Sequence, residues 1–148
     1  MILGKLMKYI NLIKINVGSS NVDDIKNWQL ANREKWADKK PRHITRMWPK
    51  RQQEILNGGS IFWVVKGYII ARQKIIGMEE FYRNKTIRCC ALIFDNTIFE
   101  TEIVRKRPFQ GWRYLEKEQS PADLALENHN NDSIPSQLLA QLSDIGVR

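Results

Sequence analysis

Four runs of β-branched and aromatic residues in the middle of the chain constrain its fold more than any other feature. They are SIFWVVK at 60–66, YIIARQKII at 68–76, TIRCCALIF at 86–94 and IFETEIV at 98–104. Such residues favour extended backbone. GMEEFYRN and Asp95-Asn96 separate the later runs and predict turns, whereas Gly67 predicts either a hairpin with Lys66 or a kink that lets a long strand curl.

A strand and a helix are predicted before these runs. KYINLIKINV at 8–17 is rich in isoleucine and predicts a strand. Ser20 or Asn21 predicts a helix cap, because a side-chain oxygen there satisfies a free backbone N–H at the helix start. The helix should run to about Ala37, with three residues towards the core: Ile25, Trp28 and Trp36.

A second, short helix is predicted over PKRQQEIL at 49–56, opened by Pro49 and closed by Asn57-Gly58-Gly59. Ser120-Pro121 predicts a further short helix. Strands in series with helices before and after them indicate an α+β fold. We therefore expect a curled, mainly antiparallel sheet or a small β-barrel with flanking helices.

Length and charge divide the chain into a basic domain and an acidic tail. The 148 residues, 43% of them hydrophobic, suffice for one core. Residues 1–127 are predicted to form a single α+β domain, and residues 128–148 a linker and a C-terminal amphipathic helix. Residues 1–115 hold 22 Lys/Arg against 10 Asp/Glu, whereas 116–148 hold 2 against 6. The net charge of +8 favours an anionic partner, although part of the tail could fold back over the basic surface.

Several other classes of protein are disfavoured by the composition. The two cysteines, Cys89 and Cys90, are adjacent and predict reduced thiols in a cytoplasmic protein. Two neighbouring cysteines and the scattered His43 and His129 cannot assemble a metal site, so no metal or cofactor is expected. No apolar run approaches the ~20 residues of a membrane span, so no membrane association is expected.

The segment RHITRMWPKR at 42–51 concentrates positive charge beside a tryptophan and contains no acid. In extended backbone, Arg42, Arg46 and Trp48 share one face, and this face could pair with phosphate and stack on a base. Lys50 and Arg51 would occupy the first turn of the short helix, where cations cost roughly 0.3–1 kcal/mol each unless an anion binds there. Alternatively, these cations pair with the protein's own acids, and Trp48 belongs to the core.

A second basic and aromatic segment, RKRPFQGWRY at 105–114, is predicted to be a loop because of its proline and glycine. Arg107, Trp112 and Arg113 could provide phosphate and stacking contacts. Alternatively, Trp112 plugs one end of the sheet and the cations are solvated. Lys66 and Arg72 could point into a pocket or out of the sheet.

These features predict a module that binds nucleic acid, with RNA favoured, or a nucleotide-like anion. Two alternatives stay open: a small enzyme that uses His43 as acid or base on an anionic substrate, and an interaction protein whose basic face docks an acidic partner or its own tail. The oligomeric state is not indicated. The predicted anion or nucleic-acid site comprises Arg42, His43, Arg46, Trp48, Lys50, Arg51, Lys66, Arg72, Arg107, Trp112 and Arg113.

Three long segments carry a resemblance to a known family. They are PRHITRMWPKRQQEILNGGSIFWVVKGYIIARQKIIGMEE, IRCCALIFD and KRPFQGWRYL. Over about residues 8 to 125 the chain resembles an alphaproteobacterial family, domain-of-unknown-function family number 1489. Here Cys89-Cys90-Ala91 adds one cysteine to the family's RCAL motif. The resemblance brings no established activity and no catalytic residues.

A shorter pattern is similar to the small PUA-like barrels, which include the ASCH and EVE groups. EILNGG and GYIIARQKI match their short helix ending in a glycine pair and the strand that follows it. This resemblance implies a PUA-like β-barrel and recognition of RNA or a modified nucleobase on a basic face.

Overall fold

Six strands form one mixed, mostly antiparallel sheet in residues 8–124, the part of the chain that the computed structural model describes. The strands are β1 (Asn11–Ile15), β2 (Arg42–Thr45), β3 (Ser60–Val65), β4 (Tyr68–Arg83), β5 (Ile87–Arg105) and β6 (Trp112–Leu115). The helices are α1 (Val22–Asn32) and α2 (Gln52–Leu56), with 3₁₀ turns at Arg33–Lys35 and Lys117–Gln119. The predicted linker and C-terminal helix lie outside the described residues.

The strand order is β2-β5-β4-β3-β1-β6, and β1 and β3 are its one parallel pair. Within residues 8–124 the edge strands β2 and β6 do not pair with each other, so the sheet is curled but not closed. The α+β prediction is confirmed, in the form of a curled sheet. The indole Nε1 of Trp112 in β6 donates a hydrogen bond of 2.9 Å to the carbonyl of Met47 after β2, and this bond links the two edges.

Irregular pairing explains the curl. The register shifts once between β3 and β4, at Trp63/Val64, and three times between β4 and β5, at Ile69/Ala71, Gln73/Ile75 and Ile75/Gly77. Each bulge bends its strand and increases the local twist. The long β4–β5 hairpin therefore wraps around the core instead of lying flat.

The last three of the four runs form two long strands, β4 and β5. GMEEFYRN continues β4 as far as Arg83, and Asp95-Asn96 lies inside β5 at a register shift. The true turn lies at Asn84 and Lys85, whose φ angles of 49° and 65° are left-handed. The hairpin at Lys66-Gly67 is confirmed, with φ angles of 51° and 87° that suit a tight turn.

Helix α1 is capped by Asn21, whose side-chain oxygen accepts a hydrogen bond of 2.8 Å from the Asp24 backbone N–H. The helix buries Val22, Ile25 and Gln29 against the sheet, a spacing that places them on one face. Trp28 falls off that face and is 62% exposed, so its predicted core position is wrong.

Helix α2 begins at Gln52, later than predicted. Lys50 and Arg51 therefore precede the first turn, and Arg51 has a non-helical backbone conformation at the N-cap position. The predicted helix after Ser120 does not form in residues 121–124, where the described part of the chain ends. Residues 121–124 instead run beside β5, where Asp123 bridges to Thr101.

The main hydrophobic core lies on one face of the sheet, under α1 and α2. A smaller cluster of Ile13, Phe62, Val64, Ile69 and Leu115 lies on the opposite face. In residues 8–124, no helix is both long and apolar enough to span a membrane.

Candidate functional site

A cleft opens beside α1, on the face of the sheet that carries the main core. Its larger chamber has a volume of about 620 Å³ and extends from the β1–α1 loop to His43. Its smaller chamber, of about 270 Å³, extends from His43 past Trp36 to Arg83. Four residues line both chambers, namely Trp28, Gln29, Arg42 and His43. We call the two chambers together the α1 cleft.

Aromatic side chains form part of the α1 cleft. Trp63 of β3 and Phe94 of β5 line the larger chamber and pack edge to face, with ring centroids 5.7 Å apart. Trp28 stands at the rim with most of its indole exposed. The cleft therefore offers a buried aromatic wall and an exposed ring on which a flat group could stack.

Lys14 is the central cation of the larger chamber. It lies on β1 in register with Trp63 of β3 and Trp112 of β6. The side chain is half-buried, and among residues 8–124 it has no carboxylate or hydrogen-bond partner. Burial lowers the pKa of Lys14, because the charged ammonium loses hydration that no protein group replaces.

His43 lies on β2, in register with the buried Leu92 of β5, and faces the same side of the sheet as the main core. Burial and, to a smaller extent, the positive charges of Lys14 and Arg83 together lower the pKa of His43 to about 4. The imidazole is therefore neutral at physiological pH. No residue in the described range hydrogen-bonds to its ring.

Arg83 lines the smaller chamber from the end of β4. Its guanidinium donates a hydrogen bond of 3.1 Å to the carbonyl of Ile44 but pairs with no carboxylate within residues 8–124. The positive charges of Lys14 and Arg83 both act on His43, and neither cation forms an ion pair within residues 8–124, although Asp24 also lines the larger chamber.

Of the eleven residues predicted as a site, Arg42 and His43 line the α1 cleft. Arg42 already has protein partners. Its guanidinium pairs with Asp38 and lies 3.7 Å from Glu79, and its side chain is only 6% exposed. It also lies 4.6 Å from the ring centroid of Trp36.

Arg51 and Arg72 also pair within the protein. Arg51 forms a bidentate pair with Glu54, at 2.9 and 2.6 Å, and this hydrogen bonding raises the pKa of the guanidinium. Arg72 forms a bidentate pair with Asp123, at 2.7 and 2.8 Å, and donates to the Ser60 hydroxyl.

The start of the acidic C-terminal segment therefore folds back over basic residues. Glu116 lies 3.6 Å from Arg51, and Asp123 holds Arg72. The backbone N–H of Glu102 donates to the Ala122 carbonyl, so this segment also pairs with β5 through its main chain. Part of the positive field is thus satisfied internally, as the charge distribution suggested.

The two tryptophans of the predicted site belong to the protein interior. Trp112 is 6% exposed and packs in the main core, and Trp48 packs partly buried against it. Arg88 lies over the Trp48 ring at 4.5 Å. The buried Nε1 of Trp48 has no hydrogen-bond partner in the described residues.

The other cations of the predicted site lie on the surface in separate places. Lys66 is in the β3–β4 turn, and Arg107 is in the β5–β6 loop. The loop predicted over 105–114 is shorter than expected, because Arg105 ends β5 and Trp112–Leu115 forms β6. Arg113 stacks on Phe109 with its guanidinium 5.4 Å from the ring. Arg46 and Lys50 are exposed after β2. Within residues 8–124 none of the five pairs with a carboxylate.

The sequence did not indicate Lys14, Trp28, Gln29 or Arg83 as residues of a site, and Trp28 was predicted for the core. A signal for Lys14 was present, because Ile10, Leu12 and Lys14 alternate and share one face of a strand. A lysine at the inward position of an apolar strand indicates a polar cavity. The position of Arg83 depends on the long hairpin, which the pattern of turn residues concealed.

The described residues offer neither a metal site nor a reactive cysteine. No group of three or more histidine, cysteine or acidic side chains could hold a metal ion there. Cys89 and Cys90 are buried free thiols, and burial raises the pKa of Cys90 to about 11, so its thiol stays protonated.

Comparisons with known proteins define the family. No curated protein and no solved structure matches the chain. A model of the family described as "Protein of unknown function (DUF1489)" matches residues 12–148 and so covers most of the chain. The chain therefore belongs to the DUF1489 family of proteins of unknown function.

Proposed function

We propose that the protein binds a nucleotide-like anion, free or as part of RNA, in the α1 cleft. Lys14 carries this proposal, because it is a half-buried cation without a partner in the described residues and it lines the larger chamber. A buried charge is costly unless it is paired, and a bound anion would pair it. The chamber's volume of about 620 Å³ is within the range of small-molecule sites.

Each part of a nucleotide has a matching group in the cleft. A phosphate would lie between Lys14 and Arg83, where two cations raise the local positive potential. Neutral His43 could donate one further hydrogen bond to it. A base could stack on the exposed ring of Trp28, since stacking accepts every base.

Longer RNA would add contacts outside the cleft. Arg46 and Lys50 are exposed and lie in the segment that follows β2, the strand that carries His43. Neither forms an ion pair in the described range. They are the members of the predicted 42–51 cluster that remain available for phosphates. The similarity of EILNGG and GYIIARQKI to PUA-like barrels agrees with RNA or nucleobase recognition by a cytoplasmic protein.

The proposal is tested by binding of short single-stranded RNAs and nucleoside monophosphates at several salt concentrations. We expect binding that weakens steeply with salt and that falls about tenfold or more in Lys14→Gln. Lys85→Gln is the matched control for mononucleotides, because Lys85 lies at the tip of the β4–β5 hairpin, outside the cleft. Absence of binding at low salt, or equal losses in the two variants, would contradict the proposal.

A second candidate function is catalysis on the same anion. The observation in its favour is that His43 lines both chambers and its ring has no partner in residues 8–124. At a pKa of about 4 the ring is a weak base, but a bound phosphate would raise that pKa towards the working range. Prolonged incubation followed by ³¹P NMR decides between the two. Conversion of the nucleotide that His43→Gln abolishes supports an enzyme, and full recovery supports a binding module.

A further inference from the structure

A buried pair of carboxamides joins α1 to β4 at the edge of the α1 cleft. Gln73 of β4 is fully buried and Gln29 of α1 is 8% exposed. Each amide donates to the other, with both N···O distances at 2.8 Å. Such a reciprocal pair uses, from each carboxamide, one of its two N–H groups and the oxygen lone pair on the same side.

Gln73 has no hydrogen-bonding capacity left. Its second N–H donates to the Asp95 carbonyl at 2.7 Å, and its oxygen accepts a second bond of 3.2 Å from the indole Nε1 of Trp63. A carbonyl can only accept and an indole N–H can only donate. These two partners therefore fix which end of the Gln73 carboxamide is oxygen and which is nitrogen.

The orientation of Gln29 follows from that of Gln73. If either carboxamide were turned over, its NH2 group would face the NH2 group of the other, and its oxygen would face the other oxygen, so both hydrogen bonds would be lost. Gln29 keeps one N–H and one oxygen lone pair, on opposite flanks of its carboxamide. Among residues 8–124 no other group uses them. Gln29 lines both chambers of the α1 cleft, and it also lines a separate cavity of about 200 Å³ between α1 and residues Asn96 and Ile98 of β5.

We propose that Gln29 hydrogen-bonds the base of the bound nucleotide and determines which base is preferred, with Gln73 as its positioning residue. This inference rests on the proposed function. A base that stacks on Trp28 while its phosphate lies at Lys14 would occupy the larger chamber, which Gln29 also lines. Each base carries a different arrangement of donors and acceptors along its edges. A base with the wrong group leaves a buried polar atom unpaired, and binding sites reject ligands strongly on that ground.

Two variants of Gln29 separate base selection from simple stability. Gln29→Glu is nearly isosteric, and in its protonated form it keeps both bonds to Gln73 but replaces the free flank N–H with an acceptor. Gln29→Leu removes both free groups. Gln53→Glu is the matched control, because Gln53 is exposed on α2 and outside the cleft.

The experiment measures the dissociation constants of AMP, GMP, CMP and UMP, and of inorganic phosphate, by calorimetry. We expect the wild type to prefer one base by about tenfold or more. Gln29→Glu should change the order of preference, and Gln29→Leu should bring the four nucleotides within about threefold of one another. Gln29→Leu should leave the affinity for phosphate as in the wild type, and Gln53→Glu should leave both the base preference and the phosphate affinity unchanged.

Gln73→Met tests positioning, because it leaves Gln29 in place but free to turn over. We expect it to reduce the base preference while phosphate binding persists. If Gln29→Leu does not fold, Gln29→Glu carries the test. Unchanged preference in the Gln29 variants, or an equal loss for all four nucleotides, overturns the inference and leaves the proposed function standing. Absence of nucleotide and phosphate binding to the wild type overturns both.

Discussion

Lys14 and His43 line one cleft although their strands, β1 and β2, lie four positions apart in the sheet. In a flat sheet four strand spacings would separate them by about 19 Å. The positive charge of Lys14 nevertheless contributes to the low pKa of His43. The bulges of the β4–β5 hairpin thus create the α1 cleft, because they curl the sheet until both residues face the same space.

Replacing Lys14 should raise stability while it weakens anion binding. Lys14→Met keeps most of the side-chain length and removes a charge whose pKa burial lowers, so the folded state loses an unfavourable group. We expect a melting temperature higher by on the order of 2 °C, measured by calorimetry without ligand. Lys85→Met, at an exposed turn, should leave it unchanged. A lower melting temperature in Lys14→Met would show that Lys14 is structural.

His43 should make the protein less stable in weak acid. The unfolded chain binds a proton at the ordinary histidine pKa of 6.5, whereas folded His43 binds one only near pH 4. The free energy of unfolding therefore falls as the pH drops from 6.5 to 4, by at most about 3 kcal/mol from this group.

Urea unfolding of the wild type and of His43→Gln between pH 4 and pH 7 measures this contribution. The variant should lose less stability than the wild type as the pH falls through that interval. Parallel curves would show that His43 is protonated as easily in the folded protein as in the unfolded chain.

Asp123 should mask positive charge. Asp123→Asn leaves the guanidinium of Arg72 without its bidentate partner, so retention on a heparin column should increase. Glu118→Gln is the control for net charge, because Glu118 lies in the same segment and has no ion pair in residues 8–124. A double-mutant cycle of Arg72 and Asp123 should give a coupling of about 1 kcal/mol. Equal elution of the two variants would show that the pair masks nothing.

Gly59 should tolerate no side chain. A Cβ atom there would collide with the Ile10 carbonyl oxygen and lie 2.7 Å from the Ile55 carbonyl oxygen, both of them backbone atoms. We expect Gly59→Ala to cost about 3 kcal/mol or more in the free energy of unfolding. Gly77→Ala is the control, because its Cβ would meet only the Ile93 side chain at 3.5 Å. Similar losses in the two variants would contradict the close approach seen at Gly59.

The local pattern of the sequence predicted most strands but not their length. Asp95 and Asn96 indicated a turn because bulges and turns favour the same residue types, and a local pattern does not distinguish them. Trp28 appeared apolar enough for the core, yet the buried face of α1 passes through Ile25 and Gln29. Its exposure depends on how the helix packs, which is a tertiary property.

The candidate site was predictable only in part. His43 stood out as the one histidine near a basic cluster, and it does line the cleft. Arg51 was equally prominent, but a glutamate three residues later is within reach of its guanidinium. Lys14 joins His43 only after the sheet curls, so no motif in the sequence connects the two.

The pKa of His43 with and without a nucleotide tests the central claim most directly. The chain has two histidines, so a spectrum of His43→Gln identifies the His43 signal for NMR. Without ligand the pKa of His43 should be about 4, and saturation with a nucleoside monophosphate should raise it clearly, because a phosphate beside Lys14 offsets the positive charge there. A His43 pKa that stays the same in the presence of every nucleoside monophosphate would contradict an anion site in the α1 cleft.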